Sequence, residues 1–367
     1  MQKSSIKKIV LILLFLVLAL LLLAGGPVWR AFQKTGFQFG QQPDRLAILA
    51  GNQEGKEIYI ITMDEPVRRE QLTNTDGNVL DFSISPQGDR IVFSVQNLDG
   101  GADLWLTTLN NKRTDIILDC KNRLCVSAQW QPQHDVILFL EQDTASGSGT
   151  NEWKILNLKD ELVNNFFSDR EINAVDLRWS ANGQWLSLWK GETAGIEVLY
   201  AATLQSAYSD LVSDDPGCFN IDENTFYYTR VHEDSIPIVS SLYQVNLVTG
   251  VIELFAGMEL FESGFNFYNP VCHPLGNGML ISVQSDPKLP QRALWWLKAD
   301  GSHETVAEGL SEIITRFGWS TNGKKVFYLK DSLESLSDGQ NLVILDLENS
   351  SISLVLAEDV FSAIWIP

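Results

Sequence analysis

From residue 45 onward, apolar and polar residues alternate in short runs, each closed by Gly, Asn or Asp. A two-residue period is that of strands with one face buried, and no convincing amphipathic helix interrupts it. One pattern recurs: an apolar or aromatic anchor, a small polar residue often followed by Pro, a Gly or Asn turn, then a β-run. It reads ISPQGDRIVFS (84–94), WQPQHDVILFL (130–140), WSANGQWLSLW (179–189), FNIDENTFYYT (219–229), CHPLGNGMLIS (272–282) and WSTNGKKVFYL (319–329), with a truncated WIP at 365–367. The anchors at 84, 130, 179, 219, 272, 319 and 365 are separated by 46, 49, 40, 53, 47 and 46 residues. A second β-run follows each turn (ADLWLTTL 102–109, EWKILNL 152–158, SLYQVNL 241–247, RALWWLKADG 292–301, NLVILDL 341–347). A third comes next (TDIIL 114–118, VIELF 251–255, ETVAE 304–308, ISLVL 352–356).

With the strand that enters each anchor, every period holds four strands, the signature of a β-propeller. The fold expected is therefore all-β, a seven-bladed propeller of four-stranded antiparallel blades over 45–367, with six blades as the alternative. A solenoid of hairpins has shorter repeats and needs end caps. Residues 45–73 supply strands two to four of a blade without a first strand, and VFSAIWIP (360–367) supplies a first strand with nothing after it. Pairing the two closes the ring and removes the free sheet edges.

The N-terminus breaks this pattern. Ile9 to Trp29 carry no charge, and these 21 residues span ~31 Å as a helix, enough to cross a bilayer core. Lys3, Lys7 and Lys8 precede the segment, so residues 1–8 are expected in the cytoplasm, 9–29 as a single-pass signal anchor, 30–44 as a linker and the propeller outside. Cleavage after Ala24 or Gly26 is the rival reading, which would leave a secreted protein.

Formal net charge is −19; beyond residue 35 the chain holds 22 basic and 46 acidic residues, a net of −24. Such a body repels phosphate backbones, which argues against nucleic-acid partners.

The turn motif, in its fullest forms ISPQG and WSANG, resembles the repeats of TolB-like propellers. It is also similar to the propeller that precedes the hydrolase in dipeptidyl-peptidase and oligopeptidase families. The resemblance covers residues 45–367 and implies an extracytoplasmic protein-binding platform.

Outside the cytoplasm, the four cysteines favour disulfides. Cys120 and Cys125 enclose KNRL between an outer strand and the next blade, which suits a local bridge. Cys272 is itself an anchor and Cys218 precedes its anchor Phe219, so both lie on first strands of adjacent blades, facing one gap; buried thiols are the other reading there. The recurrence of Trp130, Trp179, Phe219, Trp319 and Trp365 at one repeat position predicts inter-blade core.

Catalytic signals are sparse. No G-x-S-x-G, G-x-G-x-x-G or phosphate-loop motif occurs, and His134, His232, His273 and His303 are scattered. Gly147-Ser148-Gly149 reads as loop, and the acid pairs Asp214-Asp215 and Glu233-Asp234 as solvated connections. No cofactor or metal site is expected. One further repeat position stands out. Three residues before each anchor the chain reads Asp81, Ser127, Asp176, Pro216, Asn269, Arg316 and Ser362, six of them polar at the start of apolar inner strands. In a propeller these gather at one channel mouth, either as a water-lined entrance or as a site for a peptide or cation, with Asp81 and Asp176 as acceptors and Arg316 as the positive counterpart. The expected function is a binding scaffold for a protein or ligand; a propeller hydrolase or lyase with an axial site is the alternative.

Overall fold

The computed structural model describes residues 43–367 apart from 53–54, 65, 144–150, 169–171, 173, 192–193, 214, 233–238, 256–264, 287, 310–311, 333–338 and 350. The tail 1–8, the apolar segment 9–29 and most of the 30–44 linker lie outside the described residues, as do Gly147-Ser148-Gly149, Asp214, Glu233 and Asp234. Among the described residues the chain forms 27 strands and no helix, hence none long and apolar enough to cross a membrane.

The strands fall into antiparallel groups of four, each running outward from an inner strand. One group is β4 (Val79–Ile84), β5 (Arg90–Gln96), β6 (Ala102–Thr108) and β7 (Thr114–Leu118). The next is β8 (Arg123–Trp130), β9 (Val136–Asp143), β10 (Asn151–Asn157) and β11 (Leu162–Asn165). Then come β12 (Asp176–Trp179), β13 (Trp185–Trp189), β14 (Ile196–Tyr200) and β15 (Gln205–Asp210), and after them β16 (Cys218–Phe219), β17 (Thr225–His232), β18 (Val239–Asn246) and β19 (Ile252–Leu254). The last separate group is β20 (Asn266–Cys272), β21 (Met279–Gln284), β22 (Ala293–Leu297) and β23 (His303–Ala307).

The chain ends meet in one sheet. β24 (Glu312–Trp319), β25 (Lys325–Ser332) and β26 (Gln340–Asp346) continue into β27 (Ser351–Ile366), which leads on to β1 (Arg45–Asn52), β2 (Gly55–Thr62) and β3 (Arg68–Gln71). The 16-residue β27 plays two parts. Its first half pairs with β26, as in Asp346↔Ser351 and Leu342↔Leu356. Its second half pairs with β1, from Ala50↔Val360 to Arg45↔Ile366. The expected partnership of 360–367 with the strand at 45–50 is thus present, with the crossing backbone passing so close that a Cβ on Gly339 would lie 2.2 Å from Asp359 Cα.

Burial explains the strand order. Second strands lie between neighbouring sheets and are buried on both faces, as in MLISVQ of β21, buried throughout. Outer strands such as RREQ of β3 and LVNN of β11 are exposed at every position. The core is divided to match. Trp153, Leu138 and Leu140 pack on Leu177, Leu186 and Leu188 of the following group, and Leu280 and Leu294 pack on Ile314, Trp319 and Val326.

The recurrent motif has a local cause. The Ser85, Ser180 and Ser320 hydroxyls accept the N–H groups of Arg90, Trp185 and Lys325 at 3.0, 3.0 and 2.8 Å, folding the inner strand back into the second. Gly88, Gly183, Gly276 and Gly323 turn the corner with φ between 65° and 76°. Glu223 stands at the same place with φ 62°. Each tip also rests on a neighbour: a Cβ at Gly323 would meet the His273 ring at 2.4 Å, and one at Gly88 would meet the Pro367 carbonyl at 2.5 Å.

Both disulfides anticipated from the sequence are formed. Cys120–Cys125 closes the passage from β7 to β8, and Cys218–Cys272 links β16 to β20 across a gap between groups, with Cα atoms 5.7 Å apart. Where β6 and β8 meet in a parallel bridge, Ala102↔Leu124, Gly101 lets Lys121 approach.

A candidate binding cavity between the inner strands

Four of the residues three places before the anchors, Asp81, Ser127, Asn269 and Arg316, sit where the inner strands bulge. Pairing shifts between Val79 and Asp81 in β4, Val126 and Gln129 in β8, Tyr268 and Val271 in β20, and Ile314 and Arg316 in β24. Ser127 and Asn269 take positive φ, 54° and 51°. A bulge leaves an N–H without a ladder partner, and at two of these places a carboxylate of the preceding group accepts it. Asp81 accepts the Ser127 N–H at 2.7 Å and the Ser94 hydroxyl at 2.8 Å. Asp215 accepts the Asn269 N–H at 3.1 Å, the Gly217 N–H at 2.9 Å and the Thr229 hydroxyl. Burial pushes both carboxyls above the usual carboxylate range, against the pull of these hydrogen bonds.

Other links use the same place in the fold. The Ser187 hydroxyl donates to the Pro216 carbonyl at 3.2 Å, Arg178 Nη1 to the Gly217 carbonyl at 3.1 Å, and Arg316 Nη1 to the Phe361 carbonyl at 2.8 Å. The anchor tryptophans fasten backward as well. Trp130, Trp319 and Trp365 donate their indole N–H to Ser83, Val271 and Gly318, each one residue before the preceding anchor. These side chains are buried in the clusters between groups, as their repeat position predicts.

Four of the six polar positions face a common space. Asp81, Ser127, Asp176 and Ser362 line a cavity of about 640 Å³ bounded by β4, β8, β12 and the end of β27. Asn269 and Arg316 are not among its lining residues: the first engages Asp215, the second the Phe361 carbonyl. The cation that the sequence reading looked for at Arg316 stands instead at Arg178, whose Nε and Nη2 lie 3.2 Å from Asp176 Oδ2. Arg178 precedes its anchor by one residue, where the other repeats have Ser83, Gln129, Cys218, Val271, Gly318 and Ile364. A lone charge in that column was the available signal, because side chains two apart on a strand share a face. Ser83, Gln129 and Ile364 line the cavity with it. Among the described residues no group of three His, Cys, Asp or Glu is arranged to hold a metal ion.

No protein-family model matches the chain, and no curated protein matches its sequence. Solved structures do match. TolB from Acinetobacter baumannii superposes with a TM-score of 0.50 at 13% identity, over 89% of this chain and 68% of that one. The fold is a β-propeller. An oligogalacturonate lyase from Vibrio parahaemolyticus shares the propeller with a TM-score of 0.60 at 11% identity, over 86% of both chains. The β-propeller domain of the Trilobed protease from Pyrococcus furiosus matches at 0.54 and 15% identity, over 82% of this chain and 88% of that one. Identities this low carry the fold and leave function to the site.

Proposed function

We propose that this chain is a membrane-tethered, extracytoplasmic propeller that acts as a binding scaffold for a protein or peptide, with the cavity between β4, β8, β12 and β27 as its docking point. The observation that carries the reading is the cavity itself: about 640 Å³, within the range of small-ligand sites, with the Asp176–Arg178 pair and the hydroxyl residues Ser127 and Ser362 beside Trp130 and Trp179. Charged and hydroxyl groups interleaved with aromatic and aliphatic wall are the composition of a recognition site rather than of a core. Seven blades are part of the proposal. They are supported by the four-strand groups headed by β4, β8, β12, β16, β20 and β24, with β27–β1–β2–β3 as the group that closes the ring. The uncharged segment 9–29 after Lys3, Lys7 and Lys8 supports the anchor and its orientation.

Two measurements test this. A phosphatase fused after residue 367 is expected to be active and to sediment with membranes; an inactive fusion overturns the orientation, and activity in the soluble fraction points to a cleaved signal. Peptides selected from a random display library on the full-length protein should lose at least tenfold in affinity on the joint Asp176→Ala and Arg178→Ala change. Peptides that ignore that change but are lost on replacing Ile252 and Leu254, exposed on the outer strand β19, would move the binding surface to the rim.

A further inference from the structure

The charges in the cavity narrow the chemistry of its occupant. Asp176 is paired with Arg178. Asp81 is not paired: its oxygens accept one hydroxyl and one backbone N–H, and no cation interacts with it among the described residues. A recessed carboxylate with only neutral donors lacks the opposite charge that buried charges ordinarily have, and an ammonium placed beside it would favour its charged form. Its burial raises the Asp81 carboxyl, the cost of that unmatched charge. With Asp81 ionised, the two carboxylates and single guanidinium leave the cavity one negative charge in excess, which a cation would balance.

Resting on the scaffold reading above, we propose that the cavity seats a primary ammonium group, the end of a lysine side chain of a partner peptide, against Asp81. A divalent cation would ask for six or more oxygens, and among the described residues no three His, Cys, Asp or Glu stand together to begin such a shell. A guanidinium asks for two free carboxylate oxygens in one plane, and each Asp81 oxygen already accepts a donor. An ammonium needs single acceptors spread around it, one on Asp81 and others on hydroxyls such as Ser83, Ser127 and Ser362, which line the same space. Trp130, Ile84 and Ile364 offer apolar wall to the methylene stem. The net charge of −24 beyond residue 35 draws cations toward the body from a distance.

The probe is a capped Gly-Lys-Gly peptide titrated against the full chain in nanodiscs, with the same peptide acetylated on the lysine Nε as its uncharged counterpart. The lysine peptide should bind at least tenfold more tightly than the acetylated one. Asp81→Asn should erase that preference, and Ser362→Trp, which fills the cavity from β27, should abolish binding of both. Equal affinity for the two peptides, no binding of either, or a preference that survives in Asp81→Asn overturns the ammonium site. Should Asp81→Asn fail to fold, the comparison of the two peptides decides alone. Equal affinities that vanish with Ser362→Trp remove only the ammonium and leave the scaffold reading standing; binding that persists in Ser362→Trp removes the cavity as the site.

Discussion

At the scale of single residues, the turn tips show how repeat chemistry becomes inter-blade contact. Gly183 and Gly323 have the same left-handed backbone, φ 71° and 69°, but different surroundings. A methyl at 183 would find its nearest atom, the Pro132 carbonyl, at 3.4 Å, whereas at 323 it would meet the His273 ring at 2.4 Å. That ring has little freedom. It stacks on Trp296, meets Trp319 edge-on at 4.5 Å, and accepts the Leu275 N–H on Nδ1 at 3.0 Å. Gly183→Ala should therefore cost about 1–2 kcal/mol, the penalty for a side chain in the left-handed region. Gly323→Ala should cost more and give the lower melting temperature of the two. Equal losses would mean that the backbone alone demands glycine and that the His273 contact contributes nothing.

At the scale of elements, the two disulfides do different work. Cys120–Cys125 spans five residues of one connection, while Cys218–Cys272 spans 54 and ties two blades together beside the Asp215–Asn269 hydrogen bond. In the chain-entropy model the shorter loop stabilises by about 2 kcal/mol and the longer by about 4. Replacing Cys218 and Cys272 together with Ser should lower the melting temperature more than replacing Cys120 and Cys125, by differential scanning calorimetry; the reverse order would show that strain or residual unfolded structure dominates. Cys218–Cys272 was legible because the repeat register places both cysteines on first strands of adjacent blades, and Cys120–Cys125 because only KNRL separates them. The strands themselves were legible because second strands such as RIVFSVQ bury both faces from Ile91 to Val95 and are therefore mostly apolar. The cavity was only half legible. Counting back from the anchors finds Asp81, Ser127, Asp176 and Ser362, but it assumes a regular strand. The bulges shift the inner strands, the Asn269 N–H turns to Asp215 and Arg316 to the Phe361 carbonyl, and Asp215 serves from one position earlier than its counterpart Asp81. A column count carries no information about which junction a bulge will serve.

At the scale of the whole molecule, the ends of the propeller are neighbours, because Arg45 pairs with Ile366. A circular permutant that joins residue 367 to residue 44 through a short Gly/Ser linker, and opens the exposed turn at 110–112 between β6 and β7, keeps every strand pair. It should melt within a few degrees of the parent, by circular dichroism, because cutting exposed turns and joining adjacent ends leaves buried hydrogen bonds intact. A permutant that fails to fold would show that the native order of the blades is itself required.

The double duty of β27 also orders events in time. A chain made from its N-terminus exposes β1 long before Val360–Ile366 exist to cover it. Throughout synthesis that first blade carries a bare edge, which is costly to leave open and slow to close, since its partner is the most distant in the sequence. A product stopped short of Val360–Ile366 leaves the edge of β1 bare, and a protease added to it should cut that blade faster than in a chain that carries the strand.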